Sequence, residues 1–181
     1  KIKGRFQMTY EIKKYGEQVL KKKAEPVTEF GEGLKKIFDD MLETMYSFNG
    51  VGLAANQVGI LKQMIVIDTA KEENRVILRL ANPVVTSVSK EKVTYEEGCL
   101  SFPGIFEKID RPSKITVEAQ DPEGNKIKIE AEDFLAIVLQ HEIDHLNGVV
   151  FIDRMSPARR IMHGKELKEL KTETKNRIKD K

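Results

Sequence analysis

One short stretch has the residue types and the spacing for metal chemistry. His141-Glu142-Ile143-Asp144-His145 reads as His-Glu-x-x-His in a chain with only three histidines. On a helix, residues four apart lie one above the other on the same face, so both imidazoles can reach a single metal ion. The glutamate between them then stands beside that ion, placed as a general base toward a water the ion activates. Catalytic metal sites use three protein ligands and keep one position open, so the third ligand decides the chemistry. Downstream, His163, Glu166 and Glu169 are candidates, and a third ligand from Glu166 or His163 would make a metallopeptidase. Upstream stands Cys99, the only cysteine, whose thiolate is a strong ligand for a divalent transition metal. A purely structural metal site in a binding module fits less well, because such sites are usually closed by four protein ligands.

The element that must carry the motif is a helix opening at Asp133, the expected N-cap, and stopped by Asn147-Gly148. Phe134, Ile137, Val138, His141 and His145 share its inner face, so the motif sits on a largely buried helix where an imidazole needs a partner. Leu34, Ile37, Phe38, Met41, Met45 and Phe48 recur at three and four residues and predict an earlier amphipathic helix, ended by Asn49-Gly50. Between the helices the chain is β-rich. Met64 to Asp68 and Val76 to Leu80 read as strands, and Asn82-Pro83 is expected to interrupt before Val84 to Val88. Val93 to Tyr95 leads into Glu97-Gly98-Cys99-Leu100-Ser101, a strand end or bend that can present a side chain. Ile115 to Ala119 and Ile127 to Ile129 flank Asp121-Pro122-Glu123-Gly124-Asn125 as a hairpin. Val149 to Phe151 reads as a short strand, and Pro157 opens a final helix. The fold class is therefore α+β: antiparallel or mixed sheets packed around a central metal-binding helix, with a C-terminal helix.

Composition narrows the function classes. With 181 residues the chain can bury a sizeable core in one domain. The expected organisation is an extension over residues 1–7, a catalytic region over 8–153, and a basic helix over 154–181 that belongs to the same domain. A net charge of +2, from 31 Lys/Arg and 29 Asp/Glu, argues against a dedicated DNA binder. No apolar run is long enough to span a membrane, no targeting signature is visible, and a lone cysteine fits a reducing compartment. The charge is uneven: from Arg154 onward ten Lys/Arg face four Asp/Glu, which offers a contact for an anionic partner or simply a solvated helix with pairs such as Lys165 and Glu169.

Three separated stretches together resemble the peptide deformylases of the bacterial type. They are Gly50-Val51-Gly52-Leu53-Ala54-Ala55-Asn56-Gln57, Glu97-Gly98-Cys99-Leu100-Ser101 and Gln140-His141-Glu142-Ile143-Asp144-His145, in that family's order and at its usual separations. Asn56 departs from the proline often found there, and it is expected to alter loop stiffness more than chemistry. The resemblance implies Cys99, His141 and His145 as metal ligands, with Fe(II) as the ion and Zn(II), Ni(II) or Co(II) as substitutes. It implies a nascent chain beginning with N-formyl-methionine as substrate, and formate and a free amino terminus as products. Glu142 would be general base and acid, while the Gln57 amide and the Leu100 backbone N–H would hold the oxyanion. Val51, Gly52, Gly98, Phe134 and Ile137, with Leu100, would bind substrate: the small residues near Gly52 as a strand-like edge, the larger ones around the methionine side chain. Glu97 and Arg111 match two further positions and are expected to pair and hold the Cys99 loop. The basic C-terminal helix resembles one associated with docking on the ribosome. The implied location is the bacterial cytoplasm, or an organelle matrix or stroma after removal of a transit peptide.

Overall fold

The computed structural model describes residues 9–69 and 75–180, so the expected extension over residues 1–7 lies outside the described residues. A five-stranded antiparallel sheet is the frame. In chain order its strands are β1 (Gly52–Ala54), β2 (Met64–Asp68), β3 (Ile77–Val88), β6 (Lys114–Gln120) and β7 (Lys126–Glu132), and they neighbour one another in that same order. A separate two-stranded ribbon pairs β4 (Lys92–Cys99) with β5 (Phe102–Pro112). Four helices complete the fold: α1 (Glu32–Ser47), α2 (Asp133–Leu146), α3 (Pro157–Met162) and α4 (Gly164–Lys179).

Strand β2 explains why the sheet is covered on both sides. All five of its residues are buried, and alternate side chains point to opposite faces. Ile65 and Ile67 join a core with Ala136, Leu139, Ile143 and Leu146 of α2. Met64 and Val66 join a second core with Phe38, Met41, Leu42 and Met45 of α1. Burying one such side chain contributes roughly 1.5–3 kcal/mol. The two helices thus clamp the sheet, and α2 is held against it by an apolar surface while its other side faces the β4–β5 ribbon. There Phe102, Ile105 and Ile109 of β5 pack with Val150, Phe151, Ile152 and Leu167 in a third core.

The structure departs from the expected elements at four places, each for a local reason. Asn82-Pro83 does not break the chain into two strands. It is a bulge inside β3, with Asn82 at φ 52°, and the Asn82 side chain pins the extended Pro26-Val27 passage through bonds of 2.8 and 2.9 Å to the Val27 backbone. Asp133 is not the N-cap of α2: the cap position is Glu132, which makes no side-chain capping bond. Strand β7 runs directly into the helix, and the reversal is absorbed at Asp133 with φ 51°, a conformation aspartate tolerates better than most residues. Phe151 belongs to a 3-10 turn over Phe151–Asp153 rather than to a strand, because Asp153 folds back to accept the Val150 N–H at 3.0 Å. The final helix is two helices that meet at His163.

That C-terminal pair is docked, not wholly solvated. Leu167 and Thr174 are buried, and His163 lies between Glu107 of β5 at 3.2 Å and Glu166 at 2.6 Å. The Glu166 bond raises the His163 pKa most; burial opposes it, and the Glu107 bond adds to the rise. A raised folded pKa contributes stability fully present below the unfolded pKa and lost as pH rises through the folded value. The melting temperature of His163→Gln should therefore fall below that of the unmodified chain at about pH 5.5 and match it above about pH 8. A constant difference across that range in thermal melts would show that protonation of His163 does not hold the helices down.

Candidate metal centre

Two elements bring three donor atoms to one point. Helix α2 stacks His141 and His145 one turn apart, with their Nε2 atoms 3.2 Å from each other. The β4–β5 ribbon delivers Cys99 at its tip, where the register shifts between Gly98 and Cys99, and its Sγ lies 3.2 Å from His145 Nε2. All three donors fall within 4.8 Å of one another, and among the described residues they are the group found that could hold a metal ion. His163 and Glu166, the downstream candidates, bond each other instead. Gly98 has a steric reason to be glycine: a Cβ there would sit 2.5 Å from the Phe106 ring.

The donors fit a divalent ion. Metal–nitrogen and metal–sulfur lengths of about 2.1 and 2.3 Å place ligand atoms roughly 3.3–3.6 Å apart in a tetrahedron, close to the spacings seen. Without a cation the set is electrostatically awkward. Burial works against a charge on His141, but Cys99 and Glu97 outweigh it and hold its pKa well above the usual value. Burial and the neighbouring charged His141 drive His145 well below it. Two buried nitrogens facing each other share the need for one positive charge, and one soft cation meets it for both. The Nδ1 of His145 is buried and lacks a hydrogen-bond partner among the described residues.

Behind His141 runs a chain of alternating charges. Its Nδ1 meets Glu97 Oε2 at 2.8 Å, which turns Nε2 toward Cys99. Arg111 grips Glu97 with two bonds of 2.5 and 3.0 Å and donates to Asp144 at 2.9 Å. Asp144 in turn takes Arg154. Burial alone would raise the Glu97 pKa; the His141 and Arg111 bonds win and bring it to about 2. The expected Glu97–Arg111 pair is therefore present, and it reaches further than the Cys99 loop because it also orients a histidine.

Glu142 and Gln57 meet the same centre from two sides. Glu142 is buried, with Oε2 unpartnered among the described residues, and burial pushes its pKa up to about 7 against the opposing charge of His141. Gly52 makes room for it: a Cβ there would lie 2.4 Å from Glu142 Oε1. The Gln57 carbonyl oxygen accepts the Ala54 N–H at 2.8 Å, so its NH2 is directed toward Ser101 Oγ at 3.2 Å and Cys99 Sγ at 3.4 Å. Asn56 does more than set loop stiffness. Its buried side chain donates to the His145 carbonyl and ties the Gln57 turn to the end of α2. Ser101, Asp144 and Arg154 were not singled out from sequence; Asp144 lay inside the motif, but its partners come from 33 and 10 residues away.

A cleft of about 490 Å³ opens over the centre. Val51, Gly52, Gly98, Leu100, Phe134 and Ile137 all line it, together with Gln57, Cys99, His141 and Glu142. The cleft and the donor group beneath it thus bring together the residues that the family resemblance implied, and leave out the downstream candidates His163, Glu166 and Glu169.

Comparison with known proteins gives the family. The family model for polypeptide deformylase matches residues 9–161. The chain belongs to the polypeptide deformylase family. Its members are metal-dependent enzymes that remove the N-formyl group from nascent peptides, and formylated nascent peptides are the substrate. A peptide deformylase of Thermodesulfovibrio yellowstonii is 48% identical over 162 residues, 89% of this chain and 98% of that one. The crystal structure of peptide deformylase from Thermus thermophilus has a TM-score of 0.85 at 42% identity, covering 92% of this chain and 99% of that one. That of a peptide deformylase from Legionella pneumophila has a TM-score of 0.82 at 39% identity, covering 91% and 96%.

The charge chain yields a quantitative expectation. Arg111→Met leaves the buried Glu97 without its guanidinium, while Asp144 keeps Arg154, and should destabilise the fold by about 3–5 kcal/mol. A double-mutant cycle with Glu97→Gln, read by chemical denaturation, should give a coupling above about 1 kcal/mol. Additive effects would mean that the two residues are independent.

Proposed function

We propose that Cys99, His141 and His145 hold the ion and that Glu142, Gln57 and Leu100 carry out deformylation around it. The observation that carries this reading is the convergence of one sulfur and two nitrogen donors beside a buried, unpartnered carboxylate. The ion proposed is Fe(II), on the family resemblance; Zn(II), Ni(II) or Co(II) suit the same donors. When bound it supplies Lewis acidity, which polarises the formyl carbonyl and makes water acidic enough to attack near neutral pH.

The protein groups then divide the work. Glu142 takes the proton of the attacking water as its oxygen bonds to the formyl carbon. It returns that proton to the nitrogen as the carbon–nitrogen bond breaks, releasing formate and a free amine. The Gln57 NH2 and the Leu100 N–H receive the oxygen on which charge develops. The Gln57 amide is held in place by Ala54, Ser101 and Cys99, and preorganisation is what makes such donors effective. Gly52 keeps the space that lets the carboxylate lie close. Strand β1 is an edge of the sheet, and its free side offers main-chain bonding that is indifferent to side-chain sequence. Val51, Gly98, Phe134 and Ile137, with Leu100, are read as the walls around the methionine side chain.

Residues 8–153 are read as the catalytic region and 154–181 as part of the same domain, which the packing of Leu167 against Phe102 and Phe151 supports. The outward side of α4 carries Lys165, Lys168, Lys171 and Lys175, all exposed, and the proposed partner for it is the ribosome. No helix among the described residues is long and apolar enough to cross a membrane; the location proposed is the bacterial cytoplasm, or an organelle matrix or stroma after loss of a transit peptide.

Anaerobic purification with metal analysis, followed by an assay of formate release from a formyl-Met peptide, tests the whole reading. Cys99→Ala should lose ion and activity together. Glu142→Gln should keep the ion while kcat falls by a factor on the order of 100 to 10,000. Metal-loaded protein that releases no formate would sink the assignment. A separate expectation concerns Gly52→Ala. The added methyl displaces a side chain rather than backbone, so the protein should fold and bind metal while kcat drops about a hundredfold or more; wild-type turnover in that variant would show that the position of Glu142 is not critical.

A further inference from the structure

Three consecutive residues near the N-terminus grip both sides of the reacting centre. The Lys13 N–H donates to the Gln57 carbonyl at 2.7 Å, and the Tyr15 N–H donates to the Ser101 carbonyl at 2.9 Å. Between them, the Lys14 ammonium donates to the Leu100 carbonyl at 2.6 Å. The segment is itself firmly seated. Ile12 is buried in the α1 core, the Tyr15 ring stacks on Phe102 with centroids 4.9 Å apart, and the Lys14 N–H is held by Glu17 at 2.9 Å.

Of these contacts, the one from Lys14 is made by a long side chain, and its placement is informative. A surface lysine ordinarily keeps its ammonium in bulk water and its rotamers free; fixing the chain costs up to about 2 kcal/mol of entropy. Here the side chain instead runs inward, lines the cleft, passes 5.8 Å from the centre of the Phe48 ring and ends on a backbone carbonyl. Partial burial, with the charge of Arg177, pulls its pKa below the usual lysine value, as expected of an ammonium withdrawn from water. A charge-assisted bond in such surroundings is stronger than a neutral one. With the Leu100 and Ser101 carbonyls both tied down, the peptide planes on either side of Ser101 are held. The Leu100 N–H belongs to the preceding plane, shared with the Cys99 carbonyl, and only the two dihedrals of Leu100 separate it from the held one.

We propose that Lys14 is a positioning residue for deformylation: by holding the Leu100 carbonyl it restrains the turn that carries the Leu100 N–H, and it brings a positive charge to the lining of the cleft. This rests on the reading of Gln57 and Leu100 as the oxyanion donors. Preorganised donors lose much of their effect when they can turn away, because reorganising them at the moment of reaction cancels the gain. Substrate binding, by contrast, draws on the side chains of the cleft walls and the main chain of β1, whereas the bond that Lys14 makes is to the Leu100 backbone carbonyl. Its loss should appear in turnover, not in affinity.

The test compares metal-loaded Lys14→Met, Lys14→Arg and Gln57→Leu with the unmodified enzyme on a formyl-Met peptide. Methionine keeps the length of the stem and removes both charge and bond; arginine keeps both. Lys14→Met should lower kcat about tenfold with KM and metal stoichiometry unchanged and the melting temperature within about 2 °C. Lys14→Arg should recover most of that loss. Wild-type kcat in Lys14→Met overturns the inference, as does a fall that tracks lost metal or a lowered melting temperature, since that is what a plain structural anchor would give. If Gln57→Leu is slow while Lys14→Met is not, this inference alone fails. If Gln57→Leu retains full kcat, the oxyanion reading fails and takes this inference with it.

Discussion

The fold is built to hold three electron-rich atoms closer together than they would settle by themselves. Cys99 Sγ and the Nε2 atoms of His141 and His145 lie 3.2 Å apart along two of their three edges, with both histidines buried and Cys99 half-buried at the floor of the cleft. Glu97 and Gln57 bond two of the three side chains, but neither contact by itself brings the ribbon to the helix. The arrangement persists because larger structures fix each donor independently. Two cores clamp the sheet on which α2 lies, and a third welds β5, the partner of the Cys99 strand, to the segment that follows α2. The apolar interior thus opposes a polar conflict at its edge, and the conflict is what makes the point attractive to a soft divalent ion.

The chain of charges behind His141 extends the same logic. A lone buried glutamate beside a histidine would be costly, yet Glu97 is held ionised by Arg111, which is in turn divided between Glu97 and Asp144. Asp144 sits one residue before His145, so the relay joins the ribbon to the motif helix at both ends of the ligand set. Arg154 closes it from the start of the C-terminal segment. An ion pair of this kind contributes less to net stability than to uniqueness of geometry. At this site the geometry decides which nitrogen of His141 faces the metal.

How much of this was legible in the sequence follows from the range of each interaction. The α1 and α2 helices, the β6–β7 hairpin and the glycine turn after α1 are written in local periodicity and turn residues, and they were read correctly. The ligand set rests on the family resemblance, which links Cys99 to a motif more than forty positions later; the residues alone leave His163 and Glu166 open. Several of the misreadings are places where a distant partner overrides a local signal. Asn82-Pro83 looks like a strand breaker until Val27 and Gln120 are found bonded to the asparagine. The last helix looks solvated until Glu107 and the Phe102 core are seen beneath it. Asn56 looks like a loop residue because the carbonyl it reaches lies 89 residues away. Small residues were ambiguous for the same reason: Gly52 marks close packing in any sequence, and only the structure shows that the neighbour is Glu142.

Gly52 also shows how the general and the exacting demands of such a site are reconciled. An enzyme that must accept many protein N-termini cannot read side chains beyond the first, so recognition falls to a backbone edge and one apolar pocket. The chemistry, in contrast, tolerates little displacement of a carboxylate. In the proposed reading one residue serves both. As part of the edge strand β1 it presents main chain to a peptide, and by lacking a side chain it lets Glu142 approach from below. A larger residue would strengthen the strand's intrinsic preference and fill the cleft floor, and both gains would come at the expense of the base. The weakest strand former in β1 is therefore where the fold and the reaction make the same demand, and its three-residue length is tolerable only because β2 beneath it is buried on both faces.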